Sequence, residues 1–93
     1  MAEDVKGSLE KRQAARPGHL KRIGKLLNEG RLIMAGAHPA IDNIDPGPAG
    51  FTGSLIVAEF NSLQDAQDWI QADPFVSMGV YSRITVKPYK RVY

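Results

Sequence analysis

Ninety-three residues, 43% of them hydrophobic and 24% charged, are enough for one modest core and leave no room for a second domain. Cysteine is absent, which excludes disulfides, thiolate nucleophiles, cysteine-ligated zinc and iron–sulfur clusters. The net charge of +2 is weak for a nucleic-acid binder, and no apolar run approaches the roughly 18 residues of a membrane span.

The start, Met1-Ala2-Glu3-Asp4, is acidic and polar, unlike a secretory leader, so the expected compartment is the cytoplasm. Lys6, Lys11, Arg12, Arg16, Lys21, Arg22 and Lys25 crowd the first quarter of the chain. No aromatic lies among the first fifty residues to stack on bases, so these cations read as a solvated helix face rather than a nucleic-acid surface. Ser8 is placed to cap a helical segment over Leu9–Ala15, with Glu10 in its first turn. Pro17 predicts a break or kink at Arg16 and a fresh helix from Pro17 to Asn28. Leu20, Ile23, Leu26 and Leu27 would form the apolar face of that helix, and Gly30 would stop it.

Arg31 to Ala37 reads as a strand whose apolar run suits cover on both faces. The connection from Ala37 to Gly53 is long and rich in proline and glycine, a kind of segment that is more often functional than idle in a compact domain. Ser54 to Phe60 reads as a second strand. Ser62 with Asp65 forms a capping box for a helix that buries Leu63, Ala66, Trp69 and Ile70 and ends at Ala72-Asp73-Pro74. After an irregular stretch to Gly79, residues Val80 to Pro88 alternate as a strand, with Val80, Ser82, Ile84 and Val86 opposed to Tyr81, Arg83, Thr85 and Lys87. The order is helix, strand, strand, helix, strand. One more strand in front would complete β-α-β-β-α-β, the ferredoxin-like split unit.

His19 is the first candidate for chemistry. One turn before Ile23, it lies on or beside the apolar face, either as a core histidine bonded to backbone or as an acid–base group near neutrality. Asp73, before Pro74, is either a turn residue or a carboxylate that steers an imidazole. Asp42 and Asp45 sit in the long loop, facing solvent or a ligand. Thr52 and Ser54 offer hydroxyls where that loop meets a strand, with no base beside them in sequence. Arg16 is a surface cation or an anion holder next to His19. His38 is the only other histidine; no metal-ligand spacing and no glycine-rich phosphate motif accompanies it, so neither metal nor cofactor is expected.

Three stretches together resemble a known family. They are Ser8–Arg12 running to Arg16-Pro17-Gly18-His19-Leu20; Gly30–Leu32 through Ala35–Asp42 and Asp45–Ser54; and Ala72–Val76 with Gly79-Val80-Tyr81 and Val86–Lys90. The chain resembles the YciI-like family over nearly its whole length. The resemblance implies a ferredoxin-like α+β fold, an antiparallel sheet with two helices on one face, assembling as a dimeric α+β barrel. It further implies an active site built on a histidine, here His19, and an aspartate, here Asp73, with Asp42 as the alternative partner. Relatives include a dehydrochlorinase of chlorinated hydroxyquinone breakdown and, more distantly, muconolactone isomerases. A small cyclic substrate is thus implied, with Arg16, Asp42 and Ser54 as residues that would contact it and a second copy as partner. The alternative is a non-catalytic module that binds a small molecule or dimerises. Relative to the family, about five residues of a leading apolar strand are missing before Ala2. Either the chain begins further upstream, or Met1–Asp4 forms a shortened first strand.

Overall fold

A computed structural model describes all 93 residues. In chain order the elements are β1 (Ala2–Asp4), α1 (Leu9–Asn28), β2 (Leu32–Pro39), β3 (Phe51–Ala58), α2 (Leu63–Gln71), the one-turn helix α3 (Pro74–Ser77) and β4 (Tyr81–Ile84). The strands form one antiparallel sheet in the order β2-β3-β1-β4, which is the ferredoxin-like arrangement. The short first strand is therefore present, and it is central. Ala2 pairs with Ser54 on one side and Ile84 on the other, so these three side chains share a face. The helices cover that face: Ala15 of α1, Ile70 of α2 and Phe75 of α3 join Ala2, Val80 and Tyr81 in the core.

Three residues make a slight strand, and polar bonds from α1 and β3 reinforce it. The Arg12 guanidinium grips the Asp4 carboxylate with two nitrogens, and its Nη2 also donates to the Gly53 carbonyl and Ser54 Oγ, both at 2.7 Å. Both charged side chains are buried. The strands also approach closely at Gly53, where a Cβ would fall 2.2 Å from the Ala2 carbonyl oxygen; only glycine fits.

Several sequence expectations need correction. Helix α1 runs unbroken through Pro17. Proline has no N–H for the Gln13 carbonyl, a real cost, yet the helix continues because one buried stripe (Arg12, Ala15, His19, Ile23 and Leu26) spans both halves. Leu20 and Leu27 lie outside that stripe and stay exposed. Ser8 sits at the N-cap position but makes no capping bond; its hydroxyl donates to Asp4 Oδ2 at 2.6 Å instead. Strand β3 begins at Phe51, earlier than expected, because it pairs with the upper part of β2, Pro39 opposite Phe51. Strand β4 ends at Ile84 rather than Pro88: its neighbour β1 is short, and Thr85, which donates its N–H to the Met1 carbonyl and accepts from the Met1 amine, is the last residue bonded to that end of the chain. The strict alternation also fails there, since Val80 and Tyr81 are both buried and the β1–β4 register shifts beside Asp4. Strand β2 is an edge strand whose Met34 to Ala37 are exposed, not covered on both faces.

Candidate functional site

Asp73 is where the second half of the chain meets α1. Its backbone is extended, its side chain caps α3 by accepting the Phe75 N–H, and Pro74 takes the first helical position, where no N–H is missed. That local geometry points the carboxylate at α1. His19 Nδ1 lies 2.9 Å from Asp73 Oδ1. A carboxylate can only accept, so the proton of this bond sits on His19 Nδ1. The imidazole is held on its flat side too, stacked on Phe75 with ring centres 4.0 Å apart and planes 10° from parallel. His19 is 8% exposed. Its Nε2 makes no hydrogen bond within the chain and is not sealed from solvent.

The second carboxylate oxygen is also engaged. Arg22 Nη1 donates to Asp73 Oδ2 at 3.0 Å, while Nη2 donates to the Trp69 carbonyl at 2.6 Å and the guanidinium lies 4.3 Å over the Trp69 ring. Asp73 itself is fully buried. Burial is the largest influence on its carboxyl and pushes the pKa up. The His19 bond, the Phe75 N–H, the charge of His19 and the Arg22 bond together outweigh it, so the group ends below its ordinary value.

Tyr81 stands edge-on to Phe75, ring centres 5.4 Å apart. Its hydroxyl is buried beside Ser54 without a hydrogen bond of good geometry, and burial raises the phenol above its ordinary range, with Ser54 partly offsetting the shift. Arg12 lies 5.1 Å over the other partner of this stack, Phe75. A groove of about 1040 Å³ is lined by Ile56, Trp69, Ile84 and Val86 and reaches Ser54 and Tyr81; neither His19 nor Asp73 lines it.

The fold thus brings His19 and Asp73 together and leaves other candidates apart. Arg16 is exposed and makes no side-chain hydrogen bond; Arg22, one turn beyond His19, is the arginine that reaches the carboxylate. Asp42 is exposed, and neither it nor Asp45 approaches His19 through a hydrogen bond. The loop carrying them folds back on the start of α1, where a Cβ on Gly50 would meet Leu9 at 3.5 Å. Ser54 is buried as an acceptor for Arg12. His38 stands in β2 opposite Gly53, and nowhere do three histidine or acidic side chains converge as a metal set. The basic residues Arg12 and Arg22, read from sequence as a solvated face, are the ones missed. The signal was their helical spacing from His19, which puts all three on neighbouring rows.

Residues 1–90 match the sequence model of the YCII-related domain. The chain is similar to protein YciI of Escherichia coli, 55% identical over 92 residues covering 99% of this chain and 94% of that protein. It is similar at 50% identity, with the same coverage, to an uncharacterized protein of Haemophilus influenzae. Among solved structures it shares its fold with the 5-chloro-2-hydroxyhydroquinone dehydrochlorinase of Burkholderia phenoliruptrix, in complex with 2,5-dihydroxybenzoquinone. There the TM-score is 0.82 at 22% identity, covering 96% of this chain and 88% of that one.

Proposed function

The chain belongs to the family of YCII-related domains, and from that premise we propose that it is a small-molecule enzyme with His19 as general acid–base and Asp73 as its orienting carboxylate. The observation that carries this reading is the 2.9 Å bond from Nδ1 to Asp73, which leaves Nε2 as the free acceptor. Asp73 holds the tautomer and offsets the positive charge that appears when Nε2 takes a proton. The Phe75 stack keeps the ring from turning away.

The substrate class is small oxygenated ring compounds, including chlorinated hydroxyquinols and lactones, and the reaction is a lyase or isomerase step. A dehydrochlorination fits it: Nε2 removes a proton from substrate, the electron pair moves into the ring system, and chloride leaves, the imidazolium then returning its proton to water. An isomerisation needs the same group to give the proton back elsewhere on the substrate. The dehydrochlorinase that shares the fold supports this class by analogy of architecture. The test is a panel of hydroxylated, chlorinated and lactone ring compounds, followed by chloride release and ultraviolet absorbance. The native protein turns over at least one of them, and His19→Ala loses about 10²–10⁴-fold in rate with unchanged circular dichroism. Equal turnover by the variant, or a native protein inert across the panel, removes the catalytic reading.

The partner we assign is a second copy packed on the outer sheet face. Met34 pairs with Val57 and Leu55 with Gly36, so these side chains share the face turned from the helices, and Met34 and Leu55 are 55% and 38% exposed. An apolar sheet face left open in a small domain is a natural interface.

A further inference from the structure

We propose that Arg22 is a positioning residue: by gripping the second oxygen of Asp73 it keeps that carboxylate in the plane that receives His19 Nδ1, and so fixes the histidine tautomer. The inference rests on the His19–Asp73 reading and deepens it.

An aspartate carboxylate turns easily about its last torsion, which is broad and roughly two-fold. At Asp73 the two oxygens are held from opposite sides. Oδ1 accepts from His19 Nδ1 and the Phe75 N–H; Oδ2 accepts from Arg22 Nη1 at 3.0 Å and from no other group. Arg22 is itself fixed by two further contacts, the 2.6 Å bond to the Trp69 carbonyl and the stack on the Trp69 ring. A planar guanidinium can satisfy all three at once; an ammonium cannot.

Removing Arg22 leaves Oδ2 charged and unpaired in the interior, a costly state. The carboxyl has two ways out. It can rotate toward water, which loosens the His19 bond, or it can take up a proton. A protonated carboxyl becomes a donor as well as an acceptor, and the proton on Nδ1 is then no longer dictated. Either escape frees the imidazole to carry its proton on Nε2, where it no longer accepts. Arg22 therefore acts on the site through Asp73 without touching substrate.

The readout is the long-range ¹⁵N–¹H correlation spectrum of the imidazoles, taken at a pH where the rings are neutral, with His38 in β2 as internal reference. Native protein shows His19 protonated on Nδ1. Arg22→Gln loses that signature, its nitrogens averaging or reversing, while His38 is unchanged. Arg22→Lys, which restores the charge but cannot hold the Trp69 carbonyl and ring at the same time, recovers the native pattern only in part. Asp73→Asn separates the two levels of the claim. If it changes His19 while Arg22→Gln leaves His19 as in the native protein, Arg22 does not position the site. If Asp73→Asn also leaves His19 unchanged, the His–Asp pairing itself fails. If neither arginine variant folds, Arg22 is a structural residue and the proposal is overturned.

Discussion

Asp73 concentrates more roles than any other residue: it caps α3, receives His19 and anchors Arg22, all from a fully buried side chain. Its carboxyl is held below the ordinary value near 3.8, so on acidification the unfolded chain binds the proton first. The sign follows: the stabilising contribution is present above the unfolded value and drains away as pH falls toward the folded one. Urea midpoints measured across pH should therefore drop in the native protein from about pH 5 downward, and more gently in Asp73→Asn. At pH 7 that variant should already be less stable by roughly 3–5 kcal/mol, the usual consequence of breaking a buried ion pair. Parallel curves for the two proteins would count against this role. His19 and Asp73 were each legible as residues with unusual settings. Their union was legible only through family resemblance, because local pattern carries no information about which acid folds back onto α1. Arg22 was hidden for the same reason: a lysine- and arginine-rich segment looks solvated until a buried carboxylate arrives opposite one of its cations.

Among the elements, β1 depends most on others. Its three residues lie between β3 and β4, and Arg12 bolts Asp4 to the edge of α1. Arg12→Met should destabilise the protein by about 3–5 kcal/mol in urea melts, since the buried Asp4 charge loses its partner. The double variant Asp4→Leu/Arg12→Met should recover most of that loss, because two well-packed apolar groups carry no desolvation penalty. A double variant no better than the single would mean that the bonds to Gly53 and Ser54, rather than the ion pair, hold the strand. Elements governed by neighbours in sequence were readable: Ser62 does accept the Asp65 N–H at 3.0 Å, and α2 starts there. Elements governed by distant partners were not. Ser8 was diverted from its cap by Asp4, Pro17 was overruled by the packing of the helix around it, and β4 stopped where β1 gave it nothing to pair with. The one-turn helix α3 escaped notice because only its proline and its capping aspartate announce it.

At the level of the whole molecule, the helices shield one side of the sheet and leave Met34 and Leu55 open on the other. A second copy seated there would need to cover about 800 Å² per partner. Sedimentation should then report a dimer, and Leu55→Glu should yield a folded monomer by the same measurement and by circular dichroism. A native protein that sediments as a monomer at micromolar concentration would leave this face without its assigned partner. The helices impose another constraint. One stiff rod carries both the cation that fastens the middle of the sheet and, about two turns along, the imidazole. A guest that turned the ring aside would have to break its bond to Asp73 and its stack on Phe75. The imidazole's bearing is thus cast before any visitor arrives, so selectivity should rest on how a visitor meets the ring and not on yielding of the protein.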